Sequence, residues 1–165
     1  LSRDAMAKTL GDWLGGENII WLAGGLAGDM TDGHVDNVAC FVEPSVVLAQ
    51  VCGNADDPNH AVLAENLKIL ETSMDARGNP LTVLTVEQPE PVIEFGERLA
   101  LSYVNFYIAN GGVVMPAFGC PQDVAAHDVV ARAFPDRVVV QIDARAIVKG
   151  GGGIHCITQQ QPVSK

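Results

Sequence analysis

The strongest constraint in this sequence is a recurrence. A helical segment leading into an apolar strand occurs three times, with helix starts near positions 3, 58 and 122. The spacings, about 55 and about 64 residues, describe a repeated unit of roughly 60 residues. In the first copy Ser2 is a good N-cap, and Met6, Leu10, Trp13 and Leu14 fall at i, i+4, i+7 and i+8 on one apolar face. Gly15-Gly16 stops that helix, and Ile19-Ile20-Trp21-Leu22 reads as a short buried strand. The second helix opens at Asp57-Pro58, carries Leu63, Leu67 and Leu70 on one stripe, and ends near Gly78-Asn79-Pro80 before the strand Leu81–Val86. The third opens at Pro121, buries Ala126, Val130 and Ala133, and stops at Pro135 before the strand Arg137–Ile142.

Further strands are expected at Val38–Val42, Val46–Val51, Tyr103–Ile108 and Val113–Met115, with a last one at Ile154–Thr158. Glu43-Pro44-Ser45 and Ala109-Asn110-Gly111-Gly112 read as hairpin turns, and proline-containing Glu87–Arg98 as a loop. Strands outnumber helices. That fits a small α/β repeat array better than a doubly wound sheet, whose parallel strands need a helix between nearly every pair.

Composition narrows the function. At 165 residues one domain is expected, and 48% apolar residues are enough for a core. A net charge of −10 argues against phosphate-tracking nucleic-acid binders and suits a cationic small molecule. No apolar run approaches the roughly 18 residues of a membrane span, so no membrane partner is expected. Cys40, Cys52, Cys120 and Cys156 lie far apart without metal-ligand spacing. They read as free thiols of a reducing, cytoplasmic compartment. The chain opens on Leu1 with no signal segment and closes soon after an apolar strand, so it reads as trimmed at both ends.

Two segments concentrate reactive side chains. Asp29-Met30-Thr31-Asp32-Gly33-His34-Val35-Asp36-Asn37 lies between strands, where α/β folds place their sites. If His34 and Asp36 open a strand, they share a face. Gly150-Gly151-Gly152-Gly153 leads into Ile154-His155-Cys156, and glycines allow close approach of a substrate. Strand alternation there puts His155 and Cys156 on opposite faces, which leaves His34 as the better partner for the thiol. The residues alone leave two readings of Cys156 open, a small buried hydrophobe or an activated nucleophile. An acidic turn capped by histidine and a divalent-metal site are alternatives for the first segment, but the calcium-loop pattern and its closing Glu are absent. Gly24–Gly28 follows a strand but leads into no helix, so it is no phosphate cradle. Cys40 and Cys52 read as core, and Cys120 as a loop thiol at a helix start.

Three stretches carry a resemblance. They are Thr31–Asn37, Ser102–Gly112 (Ser102-Tyr103-Val104-Asn105-Phe106-Tyr107-Ile108-Ala109-Asn110-Gly111-Gly112) and Gly151–Pro162. In that order, and over essentially Leu1 to Pro162, the sequence resembles the agmatine deiminases, of the bacterial-type peptidylarginine deiminase family of guanidine-modifying enzymes. The resemblance implies a five-bladed α/β propeller, or pentein, of which residues 1–165 are the C-terminal part, some two and a half to three blades, with the N-terminal half absent. It implies Cys156 as nucleophile, His34 as general acid/base and Asp36 as a carboxylate gripping the guanidinium. Asp32, Gly152 and Gly153 would line the substrate. The implied reaction is hydrolytic deimination of agmatine to N-carbamoylputrescine and ammonia, on the way to putrescine, with no metal or organic cofactor. The implied association is a homodimer, or pairing with the absent half. A deiminase of free or peptidyl arginine and a non-catalytic propeller half are the alternatives. Two features depart from the family pattern: Gly153 stands where asparagine is common, and Met30 where an acid is frequent. The Trp-x-Arg-Asp motif that usually supplies a second aspartate is not found.

Overall fold

The computed structural model describes residues 2–162. Helix α1 spans Arg3–Leu14; the Ser2 hydroxyl accepts from the Ala5 amide at 3.2 Å, and Gly15 ends the helix in the left-handed region at φ +70°. Two units of like construction follow. In the first, β1 (Ala39–Glu43) and β2 (Val46–Val51) form a hairpin, α2 (Asn59–Glu71) crosses over, and β3 (Thr82–Glu87) returns parallel to β2. In the second, β6 (Tyr107–Ala109) and β7 (Gly112–Ala117) form the hairpin, α3 (Gln122–Ala133) crosses over, and β8 (Val138–Asp143) pairs parallel to β7. Each unit thus yields a three-stranded sheet in the order hairpin, then parallel strand. Both hairpin turns use a positive φ, at Ser45 (+62°) and Gly111 (+73°).

The units nest. Leu70, on the apolar stripe of α2, packs with Val47 and Ala49 of its own sheet and with Leu81 just before β3, and Ile20 and Leu22 lean on the same cluster. Val130 and Ala126 of α3 bury against Met115 and Val113 of their own sheet and also against Leu84 and Val86 of β3. A helix therefore covers the final extended segment of the preceding unit as well as its own sheet. The largest core cluster centres on fully buried Tyr103, Met115, Val130 and Leu48. Each such side chain contributes about 1.5–3 kcal/mol relative to exposure.

Several expectations need correction. Residues 19–22 run extended but pair with no strand among the described residues, and a strand exists only where a neighbour completes its ladder. Their backbone is held instead at the next residues, where Asn66 accepts from the Ala23 amide at 2.7 Å and donates to the Gly24 carbonyl at 2.8 Å. The Met6, Leu10, Trp13, Leu14 stripe is not buried: no residue of α1 is, and Trp13 is 84% exposed. Helix α2 stops at Glu71, well before Gly78. The segment from Tyr103 pairs only over Tyr107–Ala109, since Asn105 and its neighbours turn inward. The Glu87–Arg98 loop holds a small hairpin, β4 (Ile93–Glu94) with β5 (Glu97–Arg98). A one-turn helix, α4 (Arg145–Val148), precedes the glycine run. Finally, His34 and Asp36 do not open a strand and Cys156 does not lie on one: Val35–Asn37 and His155–Ile157 are both 3₁₀ turns.

Candidate active site

The loop before β1 is built around one carboxylate. Asp29 accepts from the Thr31 amide (2.9 Å) and hydroxyl, from the His34 amide (3.1 Å) and from the Asn37 side-chain amide (3.2 Å). Burial alone would raise the Asp29 carboxyl, but these bonds outweigh it and hold it below the usual carboxylate range. Its oxygens are thus spent on the loop itself, which argues against a divalent-metal centre there. The braced loop ends in the 3₁₀ turn, which points Asp36 inward.

Asp36 is where the two sequence segments meet. Its Oδ2 accepts from His155 Nδ1 at 2.8 Å and from the Cys156 thiol at 3.4 Å. Its Oδ1 is fully buried with no partner among the described residues. An unpaired buried carboxylate oxygen is costly, so this one is an open acceptor. Cys156 itself is exposed on the rim of the site.

The glycine run brings the backbone close to the thiol. A Cβ at Gly152 would stand 3.0 Å from Cys156 Cβ and 3.6 Å from its sulfur. A Cβ at Gly153 would fall on the side-chain amide of Asn105. That amide is buried and reaches both segments: Asn105 Nδ2 donates to Asn37 Oδ1 at 2.9 Å and to Cys156 Sγ at 3.4 Å, and its Oδ1 accepts from the His155 amide at 2.9 Å.

Of the sequence candidates, the structure joins Cys156, Asp36, Gly152 and Gly153 at one place. Asp32 and His34 lie on the same loop, exposed; Asp32 sits at φ +61°. The His34 ring makes no hydrogen bond among the described residues, its backbone amide being the group that Asp29 holds. His155 and Asn105 were not expected. The 3₁₀ turn removes the strand alternation that separated His155 from Cys156, and both now reach the same Asp36 oxygen. Asn105 gave one signal, a polar residue inside an otherwise apolar stretch. As for the other thiols, burial and then the Asp36 charge push Cys40 up, and burial likewise raises Cys52. Neither belongs to the site. A thiol, a carboxylate with a free oxygen and an imidazole, exposed on one side, can bind a planar cation and attack it.

Known proteins resemble this chain in sequence and fold. The sequence pattern of Porphyromonas-type peptidyl-arginine deiminases matches residues 1–162. A Legionella pneumophila relative is 52% identical over 165 residues, covering 99% of this chain and 47% of its own length. An agmatine deiminase of Pseudomonas aeruginosa is 43% identical over 183 residues, covering 100% of this chain and 50% of its own. Among solved structures, the agmatine deiminase of Enterococcus faecalis superimposes with a TM-score of 0.93 at 34% identity, over 98% of this chain and 49% of that one. The chain spans about half the length of the relatives it matches. An α/β fold shared over its whole described length, together with the sequence match, settles its kinship: the chain belongs to the Porphyromonas-type peptidyl-arginine deiminase family.

Proposed function

We propose that this chain carries the nucleophilic half of an agmatine deiminase, and the observation that carries the reading is the unpartnered Asp36 Oδ1 beside the Cys156 thiol. A guanidinium is a planar fork of N–H donors that matches a carboxylate edge. Docked on Asp36, it would satisfy the open oxygen and displace the His155 contact. The guanidinium carbon would then lie next to sulfur.

Cys156 adds as thiolate to that carbon, and the tetrahedral adduct collapses with loss of ammonia, whose extra proton comes from His34. The resulting S-alkylthiouronium takes up a water deprotonated by His34, and its breakdown returns the thiolate and releases N-carbamoylputrescine. The balance is agmatine plus water to N-carbamoylputrescine plus ammonia. Gly152 keeps the space beside sulfur clear, Gly153 leaves room for the Asn105 amide, and Asp32 contributes negative charge at the mouth. The net charge of −10 favours a substrate carrying two positive ends. Relatives up to 43% identical are agmatine deiminases, which supports agmatine over arginine.

In the full propeller arrangement these two units are consecutive blades, α1 with residues 19–22 belongs to a third, and the rest of the ring packs on the outer face of β8. Association with that remainder, or with a second copy, completes the site. The four free thiols fit a reducing cytoplasmic compartment.

A second reading concerns one role only. The His155 Nδ1 contact to Asp36 favours His155 rather than His34 as the acid/base. Ammonia and ureido product are measured from agmatine with the family-length polypeptide that carries this chain. Turnover is expected, falling about 10²–10³-fold in Asp36→Asn. Loss in His34→Ala with retention in His155→Ala supports the first assignment, and the reverse supports the second. No turnover of agmatine by the folded protein contradicts the proposal.

A further inference from the structure

We propose that Asn105 sets the reactivity of Cys156, its buried carboxamide acting as the neutral donor that favours the thiolate. The inference rests on Cys156 being the nucleophile, but its test needs no substrate. Asn105 is 2% exposed and uses its whole side chain on the site. Its orientation is forced by chemistry. The His155 backbone amide can only donate, so the group 2.9 Å from it must be the Asn105 oxygen. The NH₂ must then face Asn37 Oδ1 at 2.9 Å and Cys156 Sγ at 3.4 Å. The same logic fixes the neighbour. The Asp29 carboxylate can only accept, so Asn37 turns its NH₂ to Asp29 and its oxygen to Asn105.

The result is a fixed donor pattern: Asn105 gives its N–H groups to sulfur and to Asn37, and Asn37 donates in turn to an ionised aspartate. Flipping either amide would set two donors or two acceptors face to face. The sulfur itself faces few groups: the Asp36 carboxylate, which accepts the thiol proton and carries the His155 ring, and the Asn105 amide, whose oxygen stands farther off at 3.8 Å. Asp36 disfavours a negative sulfur, whereas the Asn105 N–H favours one. When a guanidinium neutralises Asp36, Asn105 remains as the protein's own donor to the thiolate.

Gly153 gives a second handle on the same contact. A Cβ there would occupy the Asn105 amide position, so the glycine is what leaves that amide undisturbed against the turn in this chain.

The test is alkylation of Cys156 by iodoacetamide, followed on its own peptide by mass spectrometry, in the unaltered chain, in Asn105→Leu and in Gly153→Ala. Circular dichroism establishes which variants are folded, and Gly153→Ala decides if Asn105→Leu is not. At about pH 7 the variants are expected to react about tenfold more slowly, and at about pH 10, where an exposed thiol is largely ionised, at close to the unaltered rate. A merely structural role for Asn105 would loosen the turn and leave alkylation equal or faster at both pH values. That outcome in a folded variant overturns the proposal. Failure of agmatine turnover would sink the deiminase reading and leave this result standing.

Discussion

The last strands of the two repeats, β3 and β8, have the same place in their sheets and different surroundings. On β3, Val83 faces the cluster around α2, and Leu84 and Val86 face α3 of the next unit. Thr82, Thr85 and Glu87 take the exposed positions. On β8, Val139 and Gln141 face α3, whereas the other face presents Val138 (69% exposed), Val140 and Ile142. A β-branched stripe is what a sheet face carries when something packs on it. The comparison teaches that in this fold a strand's outer face is completed by the helix that comes after it, so the second unit is a sheet prepared for cover and the first is one already covered.

The helix N-termini differ in the same manner. At the start of α2, Asp57 receives Arg98 at 2.9 Å, Gln88 at 3.0 Å and the Asn59 amide at 2.8 Å. At the start of α3, Asp123 receives the Tyr103 hydroxyl at 2.7 Å and the amides of Phe118, Gly119 and Cys120. One carboxylate is ion-paired to the β4–β5 hairpin, and the other sits in a nest of neutral donors.

The largest effect should come from removing the ion-paired carboxylate. Asp57→Ala strands the largely buried Arg98 guanidinium and should cost about 3–5 kcal/mol in urea unfolding. A cost below about 1 kcal/mol would mean that the pair is solvated. Next in size is Val86→Ala, which opens a hole under α3 and should cost about 2 kcal/mol. Acid should act more gently. Burial opposes ionisation of both Asp57 and Asp123, yet their hydrogen bonds win and hold both below the usual range. Such groups protonate more easily in the unfolded chain, so their stabilisation is complete above about pH 4 and fades as pH falls through the lowered values. Asp123→Asn should therefore lower stability at neutral pH and flatten that acid decline, as read by unfolding midpoints across the range. The smallest effect belongs to Val140→Ala, under about 0.5 kcal/mol in this chain, because nothing described packs on that face. A cost matching Val86→Ala would erase the contrast between the two strands.

Much of this was legible in the residues. The repeat, both hairpins and the helix starts follow from turn residues, caps and period, which act over a few positions. What failed depends on partners. Among the described residues, 19–22 look like a strand and lack a ladder, and the α1 stripe looks like a buried face and lacks a cover. At the site, Cys156, His34 and Asp36 were each readable as candidates, but the sequence pointed to His34 as the thiol's partner, whereas the structure sets the thiol against Asp36. The position of His155 was misread, since a 3₁₀ turn and a strand share the same flanking glycines. Asn105 could not be found from spacing, because its role arises only when three segments of chain converge on one amide.

The most direct test of the central claim is to quench the family-length protein with acid during agmatine turnover and map the adduct by mass spectrometry. The account predicts a mass increase equal to agmatine less ammonia on the peptide bearing Cys156, absent in Cys156→Ala. Turnover with that peptide unmodified, or retained in Cys156→Ala, would contradict it.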